Sequence, residues 1–287
     1  MSLPTEDYWD IEITSQNKAF GLGLKDVWQY RDLLLLLVRR DFVSFYKQTI
    51  LGPIWFFVQP IITILIYNLI FNNLAQISTD GIPGPIFYLA GTIIWNYFSD
   101  CLTKTSTVFK DNAAILGKVY FPRLIMPISI VLSNLIRFGV QFLLFMLLLI
   151  IYGFKSAPIY PNMYILLFPV LIILIAALGL GLGMIISAVT TKYRDLAFVV
   201  TFGIPLLMYT TTVIYPLSEA IAKYPTFSWI IKFNPVTAVI ETFRYGFTGK
   251  GHFSWAMLGY SGAITAIILF IGIIIFNRVE KNFIDTV

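Results

Sequence analysis

The chain has 287 residues, of which 58% are hydrophobic and 12% are charged, and its formal net charge is +5. A single soluble core cannot bury that much apolar surface, so the composition excludes a soluble domain and predicts an integral membrane protein. The cations lie between apolar runs rather than in one basic patch, which argues against a nucleic-acid partner. One cysteine and one histidine exclude an internal disulfide and a Cys/His zinc cluster, so no metal site is predicted.

The chain begins with a polar, acidic stretch, residues 1–30, which is predicted to be a cytosolic leader. One transmembrane domain over 31–287 follows it. Between Leu33 and Lys47, apolar residues recur on one face of a helix and polar residues on the other. This helix is too short to cross a bilayer, so we expect an amphipathic interfacial helix over 31–50.

Six runs then approach the roughly 20 residues that a membrane-spanning helix needs. The second run is the least apolar because Thr92, Asn96 and Asp100 interrupt it, and it is predicted to face protein or water. In the fourth run, Gly179 and Gly183 have the spacing that lets another helix approach closely. The predicted spans are 53–74, 86–103, 124–152, 163–189, 196–214 and 257–276.

Residues 215–256 are too long for a turn and too polar for a span. Asn234 and Pro235 form a helix start, and apolar residues recur at helical spacing from there to Gly249. We expect short re-entrant or surface helices between spans five and six. The predicted fold is therefore an all-α integral membrane protein.

The distribution of Lys and Arg sets the orientation. With the N-terminus inside, the inside segments hold fourteen of the twenty cations. The outside segments hold five: Lys155, Lys223, Lys232, Arg244 and Lys250. This bias predicts that both termini are cytosolic.

Six segments together resemble the membrane subunits of bacterial polysaccharide-export ABC transporters, the type-2 exporters that include O-antigen and teichoic-acid permeases. The segments are RRDFVSFYKQTILGPIWFFVQP at 39–60, GPIFYLAGTIIWNYFSD at 84–100, KVYFPR at 118–123, YRD at 193–195, IYPLS at 214–218 and NPVTAVIETFR at 234–244. The resemblance implies a homodimeric pore in the bacterial cytoplasmic (inner) membrane, two separate ATP-binding subunits and a lipid-linked polysaccharide as cargo.

The sequence contains no G-x-x-x-x-G-K-[ST] phosphate loop. ATP and Mg are therefore expected on the partner ATPase, with no cofactor bound by this chain. The sequence also offers no nucleophile with an adjacent base, so we predict no catalytic residues.

A pore for a sliding glycan needs aromatic rings that stack on sugar faces, together with a few amides and hydroxyls. Gln59, Thr63 and Tyr67 share one face of the first span by their spacing of four. Packing or an interfacial aromatic belt is the competing role for each ring. The channel candidates are Trp55, Phe56, Gln59, Thr63, Tyr67, Trp95, Asn96, Tyr97, Phe202 and Tyr209.

Arg137 lies inside the third span, where an unpaired cation is costly. It is predicted either to meet the lipid pyrophosphate or to pair with Asp100 or with carbonyls. Arg39, Arg40 and Lys47 on the interfacial helix share this assignment as head-group or structural charges.

The resemblance assigns the loop between spans two and three to ATPase coupling. A short helix is expected over 108–116, with apolar residues that fill a cleft on the ATPase and a stiff connector into the third span. The coupling candidates are Asp111, Asn112, Ile115, Leu116, Lys118, Tyr120, Phe121, Pro122 and Arg123.

Three alternatives stay open at this stage. The cargo of the same exporter class could be teichoic acid or a capsular polysaccharide. The chain could instead be a membrane enzyme acting on polyprenyl-linked sugars, although no catalytic cluster converges near one interface. It could also be a membrane scaffold that transports nothing.

The charge count makes a direct topological prediction. A cysteine that replaces Lys110 should react with an impermeant thiol reagent only from the cytosolic side, and one that replaces Lys250 only from the outer side. Labelling of both positions from the same side would contradict the six-span topology.

Overall fold

The computed structural model describes residues 24–47, 49–116, 121–155, 159–193 and 195–283. Within these ranges the chain is helical throughout its regular structure. The α-helices are α1 (Leu24–Gln29), α2 (Arg31–Tyr46), α3 (Trp55–Tyr67), α4 (Gly84–Ser106), α5 (Val108–Asp111), α6 (Ala113–Leu116), α7 (Ile125–Phe154), α8 (Phe168–Lys192), α9 (Leu196–Met208), α10 (Leu217–Lys223), α11 (Ser228–Lys232), α12 (Pro235–Thr248) and α13 (Trp255–Phe283). A 3₁₀ turn (Gly52–Ile54) precedes α3, a π-helix (Asn68–Leu74) extends it, and a 3₁₀ turn (Met163–Leu167) precedes α8.

Four helical stretches in the described part are long and apolar enough to cross a membrane: Gly52–Leu74, Ile125–Phe154, Met163–Thr191 and Trp255–Val279. Helices α4 and α9 also form where spans were predicted, but neither meets the same criterion. The 13 residues of α9 extend about 20 Å, which is less than the hydrocarbon thickness. The six-span count therefore stays a prediction, as does the position of α2 in the membrane surface.

Helix α4 is the centre of the bundle. Seventeen of its 23 residues are buried, and α3, α7, α8, α9 and α12 pack around it. A helix surrounded by protein does not need an apolar surface for lipid, so it tolerates polar residues such as Thr92. This location explains why α4 is the least apolar of the predicted spans.

Glycines let α8 pack against helices on two sides. A methyl group added at Gly183 would lie 2.5 Å from Thr105 Cβ, and one at Gly179 would lie 3.0 Å from the Phe98 carbonyl oxygen, both on α4. On the opposite face, a methyl group added at Gly181 would lie 2.8 Å from Leu269 Cα of α13. The close approach predicted at Gly179 and Gly183 is thus present, and α4 is the neighbouring helix.

Two apolar clusters hold the ends of the bundle. At the end that carries α5, which we call the α5 end, Val108 and Phe109 join buried residues of α2, α7, α8 and α13. The Phe109 ring stacks on Phe276 with centroids 4.6 Å apart. Toward the other end, the α12 end, Phe142 and Phe168 stack with centroids 4.5 Å apart and meet the rings of α12. Each cluster joins segments that are distant in sequence.

Helix α12 is buried rather than exposed on the outer surface. Twelve of its 14 residues are buried, so of the two expected alternatives, re-entrant or surface, the surface position does not hold for α12, and Arg244 is not a solvated cation. The Arg244 guanidinium lies 3.6 Å from the centre of the Phe87 ring and donates to the Phe87, Thr212 and Val213 carbonyl oxygens. Its ion pair with Glu241, at 3.2 Å, provides the charge partner that a buried cation needs.

The predicted start of α12 is confirmed. The Asn234 side chain accepts a hydrogen bond from the Val236 N–H, and Pro235 occupies the first turn. The same amide donates to the Thr210 carbonyl oxygen at 3.3 Å, so it also holds the segment that follows α9. Gly249 ends the helix with a positive φ of 70°.

The glycine contacts predict a difference between two alanine substitutions. In Gly272→Ala, the new methyl group would lie 2.6 Å from the Gly181 carbonyl oxygen, and backbone cannot move aside cheaply. We expect a loss of about 1–3 kcal/mol in unfolding free energy, measured as a lower thermal unfolding temperature in detergent. Gly139→Ala on α7 is the matched control, because nothing lies within 4 Å of the added carbon. Equal unfolding temperatures for the two variants would refute the packing argument.

Candidate functional site

A cavity of about 630 Å³ opens at the α5 end, between α2, α4, the α5–α6 segment and α7. We call it the α2–α7 cavity; its volume is typical of a small-molecule site. Its charged lining residues are Arg40, Asp41, Lys104, Asp111 and Arg137. Its apolar lining residues are Phe42, Ile115, Met126 and Ile130. The wall therefore combines charge with apolar surface.

Two of the three cations in this wall are paired with carboxylates. Arg40 Nη2 of α2 lies 2.8 Å from Asp41 Oδ1. Arg137 Nη1 of α7 lies 3.8 Å from Asp100 Oδ2 of α4, and its guanidinium lies 5.6 Å from the centre of the Phe56 ring. These pairs compensate much of the positive charge that the two arginines bring to the cavity.

The third cation, Lys104 on α4, has a neutral partner. Its Nζ donates to Asn134 Oδ1 of α7 at 3.0 Å, and the Asn134 amide nitrogen lies 3.9 Å from the Cys101 sulfur. Sequence reasoning counted Lys104 only as a topology charge. The spacing of four between Asp100 and Lys104, which puts both on one face of a helix, was the available signal.

Polar residues of α7 form the floor of the cavity. Ser129, Ser133 and Arg137 recur at intervals of four residues, which puts them on one helix face, and Asn134 lines the cavity beside Ser133. The Ser129 hydroxyl donates to the Met126 carbonyl oxygen and the Ser133 hydroxyl to that of Ser129, each at 2.8 Å. Both hydroxyl donors are thus used inside α7, and the side-chain oxygens can still accept.

The structure brings together only part of the predicted head-group set. Arg40 and Arg137, which are 97 positions apart in sequence, line the same cavity. Arg39 and Lys47 are exposed on α2 and on the turn after it, and neither lines the cavity. The difference arises because Arg39 and Arg40 are adjacent on a helix and point about 100° apart.

The predicted coupling segment forms two helical turns rather than one helix. The break lies at Asn112, whose side chain donates to the Val108 carbonyl oxygen at 3.0 Å. Arg40 Nη2 lies 3.4 Å from Asn112 Oδ1, which joins this segment to α2. The Asp111 carboxylate accepts a bond from the Thr107 hydroxyl at 2.6 Å.

The other coupling candidates divide between surface and core. Ile115 is 37% exposed although it is apolar. Phe121 and Arg123 are buried, so neither side chain lies on the surface of the protomer, and Pro122 is half-buried. Lys118 and Tyr120 and the Leu116 side chain lie outside the described residues.

The channel candidates also divide by burial. Phe56, Trp95 and Tyr97 are buried within the protomer, where they pack against Phe42, Phe98 and Phe138 respectively. Their positions on inward faces of α3 and α4 leave them no surface for a channel in this conformation. The half-buried candidates are Thr63, Tyr67 and Asn96. The exposed candidates are Trp55, Gln59, Phe202 and Tyr209.

Tyr67 contacts α9 from α3, and these two helices carry the exposed channel candidates Trp55, Gln59 and Phe202. The Tyr67 hydroxyl of α3 lies 3.9 Å from the Met208 sulfur of α9. Helices α3 and α9 therefore touch at their last turns, and Gln59 and Phe202 are exposed side chains earlier in the same two helices. The exposed fraction of Phe202 is 69% and that of Tyr209 is 56%.

Comparison with known proteins finds transport proteins. The profile of the ABC-2 type transporter family matches residues 32–248. An O-antigen export system permease protein RfbA of Myxococcus xanthus is 28% identical over 265 residues, which are 92% of this chain and 98% of that protein. A protein of the same name from Klebsiella pneumoniae is 29% identical over 258 residues, 88% of this chain and 94% of that protein. The polysialic acid transport protein KpsM of Escherichia coli is 22% identical over 235 residues, 80% of this chain and 87% of that protein.

Proposed function

Because the chain belongs to the ABC-2 type transporter family, we propose that it is the membrane-spanning subunit of an ATP-driven exporter of lipid-linked polysaccharide. The observation that carries this proposal is the similarity to O-antigen export permeases over 88–92% of the chain. A separate subunit hydrolyses ATP with Mg. The location is the bacterial inner membrane, with both termini in the cytosol.

O-antigen is the first candidate cargo, and a capsular polysaccharide is the second. The second is favoured by the similarity to a polysialic acid transport protein, which covers 80% of this chain. Both cargoes are long glycans, so the same demands on the pore apply: a polar path with rings that do not fix the sugar sequence.

Two copies of the chain enclose the pore in this proposal. Gln59, Phe202 and Tyr209 lie on the surface of the protomer and cannot enclose a path by themselves. A second copy that presents the same side chains would complete the lining. The two copies would meet along the exposed surfaces of α3 and α9, which carry Leu65 and Leu206, 63% and 66% exposed.

The α2–α7 cavity receives the diphosphate end of the lipid carrier. Arg40 and Arg137 line it, and cationic side chains make the short, strong hydrogen bonds that phosphate oxygens accept. The apolar side chains of Met126 and Ile130 in the same wall suit the first hydrocarbon units of the lipid. One cavity therefore offers cations for the diphosphate and apolar side chains for the hydrocarbon of an amphiphilic ligand.

The α5–α6 segment docks on the ATPase. Phe109 fixes this segment to α13 through its stacking on Phe276, so movement of the segment is passed to the bundle. Ile115 projects from the segment as an exposed apolar side chain, as a docking residue would.

The function predicts results for the isolated chain and for cells that lack it. The purified chain should hydrolyse no ATP, since its sequence has no phosphate loop, and phosphate release measures this. Cells without the chain should lose surface polysaccharide and accumulate its lipid-linked form, measured by immunodetection and lipid extraction. ATP turnover by the isolated chain, or normal surface polysaccharide without it, would refute the proposal.

The docking role predicts a specific loss for Ile115→Asp. A charge placed in an apolar cleft is left without a partner, which costs several kcal/mol. ATPase binding, measured by co-purification, and export should therefore be lost while expression and membrane insertion are kept. Ile115→Leu should behave as the original chain. Ile221→Asp, at an exposed apolar position on α10, controls for the charge itself. Export at the normal rate by Ile115→Asp would exclude this segment as the coupling element.

A further inference from the structure

We infer that Lys104 makes the decisive contact with the anionic head group in the α2–α7 cavity, and that Asp100 limits the strength of this binding. The inference rests on the proposed function, because it names the residue that recognises the diphosphate. It follows from the unequal pairing of the three cations that line the cavity.

Arg40 and Arg137, which line the cavity, each form an ion pair with a carboxylate. Arg40 Nη2 lies 2.8 Å from Asp41 Oδ1, and Arg137 Nη1 lies 3.8 Å from Asp100 Oδ2. A phosphate that binds either arginine must share it with that carboxylate, and the two anions repel each other. The net attraction that these two residues offer an anion is correspondingly reduced.

Lys104 has no such competitor at contact distance. Among the described residues, no carboxylate forms an ion pair with it, and Asp100 and Asp41 act on it only from farther away. Its hydrogen-bond partner is the uncharged Asn134, at 3.0 Å. Since an ammonium group carries three donors, two are left for a ligand.

The setting of Lys104 strengthens a contact with phosphate. The side chain is half-buried between α4 and α7, in a wall that also contains Met126 and Ile130. Charge-assisted hydrogen bonds are stronger where water is partly excluded. Of the three cations, Lys104 therefore gains most from an anionic ligand.

The class of ligand follows from the combination of charged and apolar side chains that line the cavity. The charge selects a phosphate or diphosphate over a neutral alcohol, and the apolar side chains select a lipid ester over the free ion. A polyprenyl diphosphate satisfies both, and a volume of about 630 Å³ accommodates its diphosphate together with the first carbon units.

The carboxylate of Asp100 opposes this binding. Asp100→Asn keeps the shape of the side chain and removes a negative charge that attracts both Lys104 and Arg137 and repels an anionic ligand. Head-group binding should therefore become tighter in Asp100→Asn and weaker in Lys104→Gln. A purely structural role of the two residues would weaken binding in both variants, so the opposite signs are diagnostic.

The experiment measures equilibrium binding to the full chain, purified with its ATPase and held in lipid nanodiscs. The probes are a polyprenyl diphosphate, the matching neutral polyprenol and inorganic pyrophosphate. The variants are Lys104→Gln, Lys104→Arg and Asp100→Asn, with Lys232→Gln, an exposed position on α11 outside the cavity, as the control.

We expect Lys104→Gln to weaken binding of the lipid diphosphate about tenfold, the effect of losing one charged hydrogen bond. Polyprenol binding should not change, Lys104→Arg should keep most of the affinity, and Asp100→Asn should increase it several-fold. Unchanged diphosphate affinity in Lys104→Gln, or weaker binding in Asp100→Asn, would overturn the inference.

Two further outcomes separate this inference from the proposed function. If the unaltered chain binds no polyprenyl diphosphate, the lipid-linked substrate itself is refuted. If inorganic pyrophosphate binds as tightly as the lipid and depends equally on Lys104, the Lys104 contact is supported, and the cavity is a site for free diphosphate.

Discussion

The close approach of α8 to α4 on one side and to α13 on the other is the constraint on which the bundle depends. It exists because Gly179 and Gly183 face α4 while Gly181 faces α13, so that backbones meet without intervening side chains. The position of α4 at the centre follows from it. With α4 enclosed by protein, its polar residues Asp100 and Lys104 meet α7 rather than lipid.

Cationic side chains at the two ends of α4 have different surroundings. At the α12 end, Arg244 is fully enclosed, paired with Glu241 and bonded to three carbonyl oxygens, so little capacity is left for a ligand. At the α5 end, the cations line an open cavity and Lys104 has only a neutral partner. The contacts of Arg244 hold protein segments together. The cations of the cavity are suited to an anionic group that binds and dissociates, as the proposed head group would.

The α2–α7 cavity and the proposed docking segment share a wall. Asn112 and Ile115 line the cavity, and Arg40 reaches Asn112 from α2. A head group that engages the cavity is therefore in contact with the segment that would seat in the ATPase. The Phe109–Phe276 contact extends the same segment to the end of α13. The proposed head-group site, the proposed docking segment and the bundle thus meet within one region, which is the arrangement that transport driven by a separate subunit would need.

The sequence by itself determined the membrane class, the places of the four long apolar helices, the start of α12 at Asn234 and the close approach at Gly179. These features depend on composition and periodicity over a few turns of chain. It did not determine which charges are compensated. Arg244 was counted among outer surface cations and Lys104 among topology charges, because the partners of each lie on segments far away in sequence. Burial and pairing arise only when distant helices pack, so the tertiary structure alone decided that Arg244 is locked and that Lys104 faces a cavity.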